Sequence, residues 1–296
     1  MLDVSEDQQT ARRPVRFHSM GKWFWVAAGT ALLACSEVHA GTAAETVAFP
    51  SGSKTLHGLL YRPSGGGPFP AVLYNHGGSP GFINNAAFDA IAPHFIEKGW
   101  VFFAPYRRGQ GSSADAGQFV GEEINAAKKQ GGTAAGDKTL VRLLSGEQLD
   151  DQLAALIWLE AQSFIQPKRI AVMGNSFGGI ETVLGAERHA YCAAVDLTGA
   201  AISWDVAPTL RSVLIRAVER TQAPILFIQA DNDYSTQPSK VLYAAARAAH
   251  RTTQIHIYPP FHGAGVGGMQ GHSFAWLGVT KWWPEAFGFI EGHCRE

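Results

Sequence analysis

Ser176 stands where a short branched run, Ile170 to Met173, enters a turn bracketed by Gly174 and Gly178 and leaves with helical spacing. A serine at the apex of such a strand-turn-helix is a candidate nucleophile. The tight backbone lifts its hydroxyl clear of both elements, and the glycines leave room where a Cβ would collide. The hydroxyl attacks a carbonyl only when an imidazole takes its proton and a carboxylate fixes that imidazole's tautomer. Candidates for both follow. The apolar run Ala223 to Ala230 reads as a strand that empties into Asp231, Asn232 and Asp233, so either aspartate could serve; carboxylates there also cap turns for structural reasons. Thr252 to Tyr258 alternates toward a last strand, and the loop beyond it holds His262 and His272. His256 alternates with Ile255 and Ile257 and is expected on a strand face. His57, His94, His189 and His250 read as surface or helix-end residues.

These side chains need a sheet to hold them. Strands are expected at Glu45 to Phe49, Leu56 to Tyr61, Ala71 to Tyr74, Val101 to Ala104, Ile170 to Met173, Ala193 to Leu197, Ile225 to Gln229 and Gln254 to Tyr258, with helical patterns between the later ones. Gln148 to Ala161 has the clearest apolar stripe, through Leu149, Leu153, Leu156, Ile157 and Leu159. Ser112 to Ser145 is too long for a plain connection. It mixes glycines and lysines with the helical pieces Glu122 to Ala127 and Lys138 to Leu144, and is expected to form a flap. Thr198 to Gln222 is short for a cap domain. Phe82, Tyr106, Phe177, Trp204, Tyr234 and Phe261 are candidate apolar walls.

Five segments, in order, carry a resemblance: Asn75-His76-Gly77-Gly78-Ser79-Pro80-Gly81, Tyr106-Arg107-Arg108-Gly109-Gln110-Gly111-Ser112, Gly174-Asn175-Ser176-Phe177-Gly178-Gly179, Asp231 to Pro238, and Gly271-His272-Ser273-Phe274. From about Thr55 to the C-terminus the chain resembles the dienelactone-hydrolase-like branch of the α/β-hydrolase superfamily. That resemblance implies an α/β-hydrolase fold, a mostly parallel eight-stranded sheet flanked by helices with a short flap and no large cap domain. It implies Ser176 as nucleophile, Asp233 as the acid three positions after the small Ala230, and His272 as the base, with Asp231 and His262 as rivals. It also implies an oxyanion hole from the amides of Phe177 and Gly78, with Gly77 or Ser79 as fallback for the latter; His76 then holds the loop and Arg108 ties loops together. No cofactor is implied. Dienelactone hydrolase itself carries cysteine at the elbow, so Ser176 points to a general serine carboxylesterase for small or flat esters. The elbow is also similar to that of the prolyl oligopeptidase family, whose members carry a β-propeller for which this chain has no room. A peptidase and a non-catalytic binding protein are the alternatives.

Arg12, Arg13, Arg16 and Lys22 precede an apolar run, Trp23 to Ala34, and then small residues, the layout of a secretory signal peptide. Residues 1–40 are therefore expected to be a leader and 41–296 the catalytic domain, exported to the periplasm or secreted. Val38-His39-Ala40 before Gly41 fits signal-peptidase cleavage; Leu32-Leu33-Ala34-Cys35 is the lipoprotein alternative, which would anchor the chain to a membrane, and Met20 is an alternative start. With a formal net charge of −1 and no basic patch, nothing points to nucleic acid, and the expected partner is a small ester. The three cysteines make no metal cluster. Cys192 and Cys294 would remain in a mature form, either bridged or as buried thiols.

Overall fold

Alternating apolar runs give β1 (Glu45–Ser51), β2 (Lys54–Tyr61), β3 (Phe69–Asn75), β4 (Val101–Pro105), β5 (Ile165–Asn175), β6 (Ala194–Leu197), β7 (Ile225–Ala230) and β8 (Thr253–Tyr258). They join in one sheet, ordered β1-β2-β4-β3-β5-β6-β7-β8. Only β2 runs against its neighbours; the pairings from β4 to β8 are parallel. The structure, a computed structural model, describes residues 44–78, 82–263 and 271–295, and of 82–84 the backbone alone. The expected leader, Cys35 and Ser79 lie outside the described residues, as does the side chain of Phe82.

Among the described residues eight α-helices cover the sheet: α1 (Phe82–Glu97), α2 (Val120–Ser145), α3 (Glu147–Glu160), α4 (Phe177–Arg188), α5 (Pro208–Arg220), α6 (Gln237–Ala248), α7 (Phe274–Leu277) and α8 (Val279–His293). Strand alternation divides the core into two layers. Leu73, Phe103, Val172 and Phe227 face α2 to α6, whereas Tyr74, Phe102, Met173 and Ile228 face α1, α7 and α8. Both faces are therefore buried, which is why the central strands read as near-continuous apolar runs.

The expected helix over 148–161 is α3, but Ile157 is 66% exposed. Its buried arc takes in Gln148, Gln152 and Ala155 as well as the leucines, and this turns the arc's centre away from Ile157. The two helical pieces expected in the flap belong to one element, α2, broken where Gly131 and Gly132 leave helical geometry. It is a packed cover. Buried Asp137 on α2 accepts the Thr209 and Leu210 N–H groups at 2.8 and 3.1 Å, satisfying donors in the first turn of α5. His57 lies on β2 rather than at a surface or helix end. His256 is on a strand face as expected, stacked on Tyr258 two residues along and paired with Glu285.

Cys192 and Cys294 are bridged, tying the turn before β6 to the end of α8 across 102 residues of sequence. Closing a loop of about 100 residues removes unfolded-state entropy worth up to about 4.7 kcal/mol, with about 2–4 kcal/mol typically realised. Reduction, or Cys294→Ser, is accordingly expected to lower Tm by roughly 5–15 °C, since a domain of this size shifts about 2–4 °C per kcal/mol. Thermal melts with and without reductant read this directly; identical melts would show that the bridge carries no stability.

Candidate active site

β5 ends at Asn175 and α4 begins at Phe177, so Ser176 alone makes the turn, at φ 56° and ψ −115°. A non-glycine residue in such a region costs roughly 1–3 kcal/mol and persists only where its surroundings hold it. They do. The Ser176 N–H donates to Leu197 O at the end of β6 at 2.9 Å, and the Ser176 carbonyl accepts the Ile180 N–H at 3.2 Å. A Cβ on Gly174 would stand 2.7 Å from Asn75 O, and one on Gly178 would overlap that carbonyl. The glycines thus let the end of β3 pass directly beneath the turn.

His272 Nε2 lies 2.9 Å from Ser176 Oγ, and its Nδ1 lies 2.9 Å from Asp233 Oδ1. This network assigns the tautomer: Nδ1–H donates to the carboxylate, leaving Nε2 to accept from the hydroxyl. The His272 and Asp233 side chains are almost closed to solvent. Asp233 is fixed from other sides, accepting the Tyr234 N–H at 2.7 Å and Gln229 Nε2–H at 2.8 Å. Gln229 is held in turn by the Ser239 hydroxyl, which donates to Oε1 at 2.8 Å. Asp231 and His262 are exposed, and it is Asp233 and His272 that the fold brings to Ser176.

The loop after β3 runs alongside the turn at Ser176. A Cβ on Gly78 would stand 3.3 Å from the Phe177 Cβ, so the two backbone segments expected to supply amide donors are adjacent. His76 is fully buried; its Nδ1–H donates to Gly77 O at 2.8 Å and its Nε2 accepts the Arg107 N–H at 3.4 Å. Burial and the neighbouring Arg107 charge lower its pKa, keeping the ring neutral. Arg108 joins the loop after β4 to helix α3 rather than to another loop, donating from Nε and Nη2 to Asp151 at 2.9 and 2.6 Å.

A cavity of about 300 Å³ opens at Ser176 and His272. Leu140 of α2, Phe177 and Ile180 of α4, Ala200 and Ile202 of the turn after β6, and Trp276 of α7 wall it, and among its described lining residues none but His272 can carry charge. Of the other expected walls, Tyr106 and Trp204 are buried in the core, Phe261 packs on Phe274, and Tyr234 is an exposed ring set edge-on to His272 at 5.5 Å.

Sequence reading passed over Arg107, Glu181, Asp196 and Gln229. Arg107 Nη1 donates to Glu181 Oε2 at 2.6 Å, both fully enclosed. Burial raises the Glu181 carboxyl while Arg107 pulls it down. Asp196, at the end of β6, accepts the Gly199 N–H at 2.8 Å and so shapes the turn that carries Ala200 and Ile202. Burial pushes its pKa up to about 7, opposed by the Gly199 bond and aided by the Asp233 charge.

This fold is that of the α/β-hydrolases, with a serine, a histidine and an aspartate in hydrogen-bonded sequence at its elbow. The profile of the dienelactone hydrolase family matches residues 56–274, and the chain belongs to that family. It is 23% identical over 245 residues to an uncharacterized peptidase, YtmA, of Bacillus subtilis, covering 73% of this chain and 84% of that one. A putative dienelactone hydrolase from Klebsiella pneumoniae superposes with a TM-score of 0.62 at 19% identity, covering 84% of this chain and 98% of the other. The acylaminoacyl peptidase of Pyrococcus horikoshii superposes at 0.61 with 15% identity, over 86% of this chain but 42% of that larger protein.

Asp196 carries a testable pH dependence. Its folded pKa lies above the ordinary 3.8, so its contribution to stability is fully present below that value and is lost as pH rises through about 7. Asp196→Asn, which keeps a neutral side chain at every pH, is expected to melt progressively higher relative to the wild type as pH is raised from 5 to 8. A Tm difference that stays constant over that range would show the carboxyl to be ionised throughout.

Proposed function

We propose that this protein is a serine hydrolase that cleaves small, uncharged carboxylic esters through an acyl-enzyme on Ser176. The observation that carries the reading is the continuous path from Ser176 Oγ through the His272 ring to the enclosed Asp233 carboxylate, each step 2.9 Å. In this reading Oγ attacks the ester carbonyl carbon as its proton passes to His272 Nε2, and Asp233 stabilises the resulting imidazolium. The carbonyl oxygen becomes an oxyanion facing the Phe177 and Gly78 amides. Collapse breaks the bond to the alkoxy oxygen, which takes the proton from His272 and departs as the alcohol. Water then repeats the sequence on the acyl-enzyme and releases the acid.

Cavity size and lining support the substrate class. About 300 Å³ corresponds to roughly ten non-hydrogen atoms at about 30 Å³ each, the share of a liquid water. An anionic acyl or alcohol group would meet apolar walls with no described cation to pair with it. The peptidase reading draws on the names of YtmA and of the Pyrococcus horikoshii protein. A peptidase that reads a free N-terminus requires an anionic partner for it, and among the described lining residues there is no carboxylate.

A series of p-nitrophenyl esters from acetate to palmitate, run beside an aminoacyl-naphthylamide, separates these readings. Turnover is expected to peak at the short esters, with the amide cleaved far more slowly. Ser176→Ala, His272→Ala and Asp233→Ala are each expected to lose at least about 10⁴ in kcat, while His262→Ala and Asp231→Ala keep most of it. Unchanged turnover in Ser176→Ala would end the serine-hydrolase reading. A dead His262→Ala variant would reassign the base.

We propose further that the protein acts after export, with residues 1–40 removed. The Cys192–Cys294 disulfide supports this, because such bridges persist in oxidising compartments. Mass analysis of the purified exported form is expected to place its N-terminus at Gly41; a lipid on Cys35 would instead make it a lipoprotein, and an uncleaved cytoplasmic chain would refute export.

A further inference from the structure

Arg107 makes more contacts with the oxyanion loop than any structural salt bridge to Glu181 requires. Its Nη1 donates to the His76 carbonyl at 2.9 Å as well as to Glu181, and its Nη2 donates to the Gly77 carbonyl at 3.1 Å and to Gln110 Oε1 at 3.2 Å. The Gly77 carbonyl takes a second hydrogen bond from His76 Nδ1 at 2.8 Å. A trans peptide places its C=O and N–H on opposite sides. The Gly77–Gly78 bond is trans. Pulling the Gly77 oxygen toward the guanidinium therefore aims the Gly78 N–H away from it. The same guanidinium lies 4.9 Å from the centre of the Phe177 ring, so one planar group touches both segments that supply the oxyanion donors. Glu181 stands one turn beyond Phe177 on α4 and anchors the guanidinium to the nucleophile helix.

We propose that Arg107, anchored by Glu181, is the positioning residue of the oxyanion hole: its forked donors fix the Gly77–Gly78 peptide so that the Gly78 amide faces the tetrahedral intermediate beside that of Phe177. The inference rests on the serine-hydrolase reading above. Only a planar fork can hold two carbonyls and a carboxylate together, so lysine, a point charge on a flexible stem, does not replace it. Arg107 touches no reacting atom and acts through the loop. Its removal is felt where negative charge develops on the carbonyl oxygen and little where the neutral ester binds.

The test compares the full chain with Arg107→Lys, the neutral pair Arg107→Gln with Glu181→Gln, and Arg108→Ala as the neighbouring control. A fluorophosphonate that labels wild-type Ser176 first establishes the serine-hydrolase reading; failure to label overturns that reading itself. Given labelling, kcat on a short p-nitrophenyl ester is expected to fall about 10²–10³-fold in the two Arg107 variants, the loss typical of one oxyanion donor, with KM changed less than about threefold. Affinity for an alkyl boronic acid, which forms a tetrahedral anionic adduct, should weaken by a similar factor. Arg108→Ala should lower Tm through its lost Asp151 pair while keeping kcat. The proposal is overturned if folded Arg107→Lys keeps wild-type kcat and boronate affinity, or if KM rises as much as kcat falls. Should neither Arg107 variant fold, Glu181→Gln, isosteric and uncharged, decides: an unchanged kcat overturns the proposal, and a kcat loss at constant KM with weakened boronate binding upholds it.

Discussion

Two backbones pass one another at the centre of this protein closer than any side chain would allow. The end of β3 runs beneath the first turn of α4, with the Asn75 carbonyl occupying the space a Cβ on Gly178 would need. Parallel pairing of β3 with β5, in which Asn75 is the partner of Gly174, makes the crossing unavoidable. Once it is accepted, much else follows. Ser176 is driven to positive φ, its hydroxyl is lifted above the strand ends, and the loop that continues from Asn75 emerges beside the amide of Phe177. Ser176 and the loop after β3 are neighbours because the sheet places β3 next to β5, although His76 is 100 positions before Ser176 in sequence.

Holding that crossing together takes charge in an interior that disfavours it. An ion is stable there only when paired and hydrogen-bonded. Arg107 and Glu181 pair with each other, and the two Nη groups also donate to the carbonyls of His76 and Gly77 and to Gln110, while Arg107 Nε and Glu181 Oε1 stay buried without a hydrogen bond. Among the described residues no cation pairs with Asp196, and burial raises its pKa, as it also raises that of Glu181. The nearby Asp233 charge adds to the upward shift of Asp196.

The sheet was largely legible in the chain because both faces are buried. Val101 to Ala104 and Ile225 to Gln229 admit no polar residue before their ends, and a central parallel strand leaves little alternative for such a run. Boundaries moved most where side chains stop reporting environment: β5 begins at Ile165, through Gln166, Lys168 and Arg169, whose polar residues hide the strand's start. Ser176 was legible from its glycines alone. Choosing Asp233 over Asp231 and His272 over His262 needed a resemblance, because each pair differs in three-dimensional position and hardly in composition. Arg107 and Glu181 were not legible: a charged residue in a loop or helix is ordinarily solvated, and only the packing of α4 against β3, β5 and β6 reveals these two as enclosed. Asp196 lay inside an expected strand, where its composition gave no role.

The cover over the site follows from the same economy of elements. Among the described residues no separate domain covers it; α2 contributes Leu140 to the cavity wall and is tethered by Asp137 to the first turn of α5. Leu140 sits one helical turn beyond Asp137, so the tether that fixes α2 also fixes the side chain it contributes to the cavity. Ile202 of the turn after β6, 56% exposed, also lines the cavity. The remaining apolar walls come from Phe177 and Ile180 of α4 and Trp276 of α7, so the shape of the cavity follows from how three helices and one turn pack at the ends of the strands.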